Sequence, residues 1–171
     1  MTRLLLVLAL GLAPLTGCGG DGGADSDGGS DGDRPTRKEF VADANAICRE
    51  GEQKIEEVTR AGQQEFQEAT SEKQQRVAIA KVLERTTDEY RPYLDRLREL
   101  QPPADIANDW SSFLDGIGEA FDLFPELAAA TRDKDEQKLA ELNRQFSGIA
   151  SETRPFAEQT GLDDCLPDED T

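Results

Sequence analysis

From Thr36 onward, apolar side chains recur at steps of three and four positions, the spacing that gathers them on one face of a helix. Phe40, Ala44, Ile47, Gly51, Ile55, Val58, Gly62 and Phe66 form the first stripe, and it predicts a helix running to about Ala69. Thr36-Arg37-Lys38-Glu39 opens it as a capping box, with a glutamate three residues after a threonine N-cap. Ser71-Glu72-Lys73-Gln74 is a second start signal, and Val77, Ala80, Leu83, Thr86 or Thr87, Tyr90, Leu94 and Leu97 carry a second helix to about Leu100. Pro92 lies inside this stripe. It has no N–H for the Asp88 carbonyl, so a kink is expected there. Gln101-Pro102-Pro103-Ala104-Asp105 then breaks the chain. A third helix is predicted from Ile106, Trp110, Phe113, Leu114, Ile117, Phe121, Phe124, Leu127 and Ala128, with Pro125 disturbing its last turns. Asp133-Lys134-Asp135-Glu136 reads as another capping box. Leu139, Leu142, Phe146, Ile149, Thr153 and Phe156 line a fourth helix, which contains Pro155 and is stopped by Gly161. Nowhere do β-branched and polar residues alternate over five positions, so no strand is predicted. Amphipathic helices with short connections imply an all-α fold, a four-helix up-down-up-down bundle over residues 36–166 followed by an acidic tail at 167–171.

The segment before the bundle follows a different logic. Arg3 precedes an apolar run, Leu4 to Ala13, about half as long as the ~20 residues a spanning helix needs. A charged start and a short apolar stretch read as a processing signal. Leu15-Thr16-Gly17-Cys18 then resembles the lipobox of bacterial lipoproteins. That resemblance implies removal of residues 1–17, a diacylglyceryl group on the Cys18 thiol and a further acyl chain, such as palmitate, on the new N-terminus. Buried acyl chains contribute ~0.8 kcal/mol per CH₂, so two or three anchor a protein durably. The partner implied is the cell membrane, held through this anchor with the rest of the chain on the extracytoplasmic face. Residues 18–35 are rich in glycine and aspartate, carry no large apolar side chain and read as a disordered linker. Asp25 and Asp27 begin the spacing of a calcium loop, but Gly29 occupies the fifth position and no glutamate closes it.

Charge and composition exclude more than they assign. The net charge is −17 with no histidine. A phosphate backbone repels such a surface, so nucleic acid is not an expected partner. Without histidine there is no Ser-His-Asp or Cys-His arrangement and no histidine-ligated zinc, di-iron or haem site. The sole methionine is Met1. No phosphate-binding glycine loop occurs. The expectation is therefore a protein without catalytic residues, metal or cofactor. Acidic neighbours at helical spacing, Glu52/Glu56 and Asp105/Asp109, are of the kind that 36 acidic residues produce by chance. Two constellations merit attention. Trp110, Phe113, Phe121 and Phe124 are a candidate apolar pocket, with core packing as the simpler account. Tyr90, Arg91 and Tyr93 flank Pro92 as a candidate interaction patch, with packing again the alternative.

The cysteines give an independent check on topology. With Cys18 consumed by lipid, Cys48 and Cys165 remain, and one pairing is open to them. In an up-down-up-down bundle the fourth helix returns to the end where the first begins, which makes a bridge geometrically natural. A pair of free thiols serving a metal or redox site is the alternative, but they lack a third soft ligand. Ala44-Asn45-Ala46-Ile47-Cys48, Leu97-Arg98-Glu99-Leu100-Gln101-Pro102-Pro103 and Gly161-Leu162-Asp163-Asp164-Cys165 resemble a pattern in small secreted or lipid-anchored helical proteins of actinobacteria and their relatives. That resemblance implies the Cys48–Cys165 bridge and an extracytoplasmic bundle, and it brings no catalytic residues. The expected function is a non-catalytic, surface-anchored module that binds a protein or envelope partner. The alternative is a bundle that binds a small ligand, either an apolar molecule near Trp110 or divalent cations on its acidic faces.

Overall fold

A computed structural model describes residues 34–166; the expected signal, Cys18, most of the expected linker and the acidic residues at 167–171 lie outside the described residues. Within them the chain is all-helical: α1 (Arg37–Glu68), α2 (Glu72–Glu99), α3 (Ala107–Asp122), α4 (Phe124–Asp133), α5 (Glu136–Thr160) and a short 3-10 turn (Asp163–Cys165). The local start signals work as expected. Thr36 Oγ1 accepts the Glu39 N–H at 3.3 Å, and Glu39 Oε2 accepts the Thr36 N–H at 2.9 Å. Ser71 Oγ accepts the Gln74 N–H at 3.3 Å. These bonds satisfy backbone donors that a helix start would otherwise leave open.

Two expectations are corrected. The third apolar stripe is not one helix but two, so the described residues hold five α-helices rather than four. Pro125 sits in the first turn of α4. It has no N–H to return to the Phe121 carbonyl, so the backbone ladder ends near Leu123 and starts afresh. The Leu123 N–H turns back to the Ala120 carbonyl at 3.3 Å, while the Leu123 carbonyl accepts the Leu127 N–H at 2.9 Å. The capping box read at Asp133 is likewise displaced. Asp133 is the last residue of α4, Lys134 closes that helix in the left-handed region (φ 57°), and Asp135 caps α5 by accepting the Lys138 N–H at 2.9 Å. Pro92, by contrast, does not end its helix; α2 continues through it.

The principal packed pairs are α1 on α2, α2 on α4, and α3 on α5. Ion pairs along α1 and α2 run in opposite order, Glu50 to Arg96 at 2.6 Å and Glu65 to Lys81 at 2.8 Å. Gly62 lets these two helices close: a Cβ there would lie 1.9 Å from Val82 Cγ2. The main core joins Phe40, Ala44, Ile47 and Cys48 of α1 to Leu94 and Leu97 of α2, Trp110 and Phe113 of α3, and Leu162 beyond α5. A smaller core of Leu127, Ala130 and Leu142 lies between α4 and α5, with Leu83 packed against it.

The C-terminal segment is clamped to α1. Gly161 adopts the left-handed conformation (φ 83°) that glycine tolerates best, and the Gly161 and Leu162 N–H groups both reach the Ala157 carbonyl at 2.9 Å. Leu162 is then fully buried. Asn45 holds the turn from both sides, donating to the Gly161 carbonyl at 2.9 Å and accepting the Asp164 N–H at 3.3 Å. Arg49 pairs with Asp164 at 3.0 Å. This brings Cys165 onto α1, where it forms a disulfide with Cys48 across 117 positions of sequence.

Candidate interaction groove

The aromatic residues singled out by sequence are deployed as two packed chains. Trp110 lies edge-on to Phe40 (4.9 Å between centroids) and stacks on Phe113 at 5.6 Å, which meets Phe156 at 5.4 Å. Tyr90 stacks on Phe121 at 4.3 Å, Phe121 meets Phe124 at 5.2 Å, and Phe124 reaches Phe146 at 6.0 Å. Of Trp110, Phe113, Phe121 and Phe124, Phe113 borders the groove described below and the other three do not. The Trp110 Nε1 donor is buried with no acceptor among the described residues.

Tyr90, Arg91 and Tyr93 divide between interior and surface. Tyr90 is 7% exposed, and burial pushes its phenol up to about 12, with the Glu52 carboxylate adding to the shift. Tyr93 is half-buried, with the Arg96 guanidinium 5.6 Å from its ring centroid. Arg91 is exposed and lies 3.9 Å from Asp122. The acidic neighbours read from spacing also separate. Asp105 faces Arg37 at 3.5 Å, whereas Asp109 lines the groove.

That groove, about 540 Å³, lies between α3 and α5 and is partly open to solvent. It is lined on α3 by Asp109, Ser112, Phe113, Asp115, Gly116 and Glu119, and on α5 by Ile149, Glu152, Thr153, Pro155, Phe156 and Gln159. Each set follows the three-and-four spacing of one helix face. The helices pinch together where Gly116 meets Thr153, since a Cβ at Gly116 would lie 2.4 Å from Thr153 Cγ2. Phe113 is buried, Ile149 and Phe156 are half-buried, and Asp109, Asp115, Glu119 and Glu152 are exposed. The result is an apolar floor under a carboxylate rim. No lysine or arginine lines it. Arg154, on the same stretch of α5, turns to Glu158 at 3.7 Å.

The hydroxyls of this groove are committed to the helix backbone. Ser112 Oγ donates to the Asn108 carbonyl at 3.1 Å, and Thr153 Oγ1 to the Ile149 carbonyl at 2.9 Å. Neither is paired with a base that would activate it. Among the described residues no group of three or more cysteine or carboxylate side chains is placed to hold a metal ion, and no helix is long and apolar enough to cross a membrane. Sequence reasoning did not single out the groove. The signal for it was faint: Gly116 lies off the apolar stripe of its helix, and Thr153 is a small residue at a stripe position where a larger apolar one is usual.

Comparison with protein-family models, with curated proteins and with solved structures returned no match.

Proposed function

We propose that this chain is a lipid-anchored, extracytoplasmic lipoprotein whose helical bundle acts without catalysis, by binding a protein or envelope partner at the cell surface. The observation that carries the reading is the Cys48–Cys165 disulfide. Persistent disulfides belong to oxidising compartments, so the bridge fits an exported chain. It also takes up both thiols of the bundle and leaves Cys18 as the one cysteine outside it. That cysteine stands in the sequence Leu15-Thr16-Gly17-Cys18, which resembles a lipobox, and the glycine- and aspartate-rich linker serves as the tether. In this reading the helices form an up-down-up-down bundle, with α3 and α4 together as its third leg. The backbone-committed hydroxyls of the groove and a sequence without histidine support a binding role over a catalytic one.

The decisive experiment is metabolic labelling with an alkyne palmitate analogue, followed by fractionation of wild type and Cys18→Ala. Wild type is expected to carry label and sediment with membranes, and Cys18→Ala to carry none. An unmodified thiol at Cys18 in the mature wild-type protein, seen by mass spectrometry, would remove the anchor from this account.

A further inference from the structure

We infer that the α3/α5 groove is the docking surface of this module and that it receives a short basic segment of a partner protein, with apolar side chains interleaved between lysines or arginines. The inference rests on the binding-module reading and assigns its surface and the chemistry of its partner.

The groove's form and its charge carry the inference together. It extends from Asp109 to Glu119 along α3 and from Ile149 to Gln159 along α5, which at ~1.5 Å per residue is about 15 Å. That length matches an extended segment of about four or five residues at ~3.3 Å each. The groove is partly open to solvent, so it suits a stretch of chain laid into it better than a fully enclosed small molecule. Its floor leaves Ile149 and Phe156 partly exposed, apolar area that a partner's side chain would remove from water. The rim carboxylates at Asp109, Asp115, Glu119 and Glu152 have no ion-pair partner among the described residues. On the neighbouring surface, by contrast, Glu84 engages Arg132 at 2.7 Å and Glu126 engages Lys138 at 3.0 Å. Four acids facing one groove without a counter-charge favour a cationic ligand and disfavour an anionic one. The excess negative charge of the whole chain steers the same class of partner inward. Aromatic rings beneath such cations add a further attraction.

The test uses the soluble form of the full mature chain and fluorescence anisotropy of three labelled peptides: one alternating lysine and leucine, one with glutamine in place of each lysine, and one with serine in place of each leucine. The lysine–leucine peptide is expected to bind saturably, more weakly as salt rises, and each analogue about tenfold or more weaker. Asp115→Asn/Glu119→Gln/Glu152→Gln is expected to lose about tenfold in affinity or more. A variant with the same change in charge elsewhere, Glu56→Gln/Asp88→Asn/Glu99→Gln, is expected to stay within about twofold of wild type. All six substituted positions are exposed, so both variants retain the core. An equal loss in the two variants would show bulk charge at work and overturn the assignment. So would equal binding of the lysine–serine peptide, or no saturable binding at all. Failure here leaves the Cys18 anchor standing, and failure of the labelling experiment leaves the groove standing, so the two readings fall separately.

Discussion

At the scale of single residues, burial decides behaviour more than residue type does. Tyr90 illustrates this: spacing places it beside Arg91 and Tyr93 near a proline, yet its ring is stacked on Phe121 inside the core. Burial raises its phenol from the ordinary value of 10.0 to about 12. The folded state therefore holds this proton more tightly than the unfolded chain does. The stabilisation from this group is complete below pH ~10 and is lost as pH rises from about 10 to about 12, with a magnitude on the order of 2–3 kcal/mol. Urea unfolding at pH 9 and pH 12 should show wild type losing that much more stability than Tyr90→Phe across the interval. An identical loss in both would assign the alkaline transition to other groups. Asn45 is a second residue whose role depends on context, since its two bonds to the Gly161–Asp164 turn connect positions more than a hundred residues apart.

At the scale of elements, helix contacts are set by how closely backbones approach. Gly62 and Gly148 make a matched pair of tests. Alanine at Gly62 would gain helix propensity of up to ~1 kcal/mol, but its Cβ would collide with Val82, a side chain held to few rotamers. Overpacking of this kind costs ~1–3 kcal/mol. Thermal denaturation should show Gly62→Ala net destabilised and Gly62→Ala/Val82→Ala largely restored. Gly148 has nothing within 4 Å of its would-be Cβ, so Gly148→Ala should gain about 0.5–1 kcal/mol. A stable Gly62→Ala would mean that α1 and α2 sit farther apart than described. The same distinction governs what could be read beforehand. The Thr36 and Ser71 caps were legible because their bonds span three residues. The α3/α4 break was not, because one apolar stripe runs unbroken through both helices and a proline suits a disturbed last turn as well as a new first turn.

At the scale of the whole molecule, one covalent bond joins the end of the chain to its first helix. On the chain-entropy estimate a loop of 117 positions contributes about 5 kcal/mol by restricting the unfolded state. That is a large fraction of a typical domain's 5–15 kcal/mol. Cys48→Ser/Cys165→Ser should lower the urea midpoint accordingly while keeping helical circular dichroism in water. Trp110 fluorescence is a suitable probe, because this residue lies in the core cluster that also contains Cys48. An unchanged midpoint would mean that the Leu162 anchor and the Asn45 bonds hold the C-terminus unaided.

Helical class, two of the caps and the stop at Gly161 followed from the sequence alone, since each depends on local spacing; the pairing of Cys48 with Cys165 was expected there only with Cys18 set aside as the lipid site, and the folded chain forms it. The stacking of Tyr90 on Phe121, the division of the aromatic residues into two chains and the gathering of Asp109, Asp115, Glu119 and Glu152 around one groove were decided by tertiary structure. Periodicity says which side chains share a helix face. It does not say which face of which helix that surface will meet, or where two glycine-relieved backbones will close and leave the space beside them open.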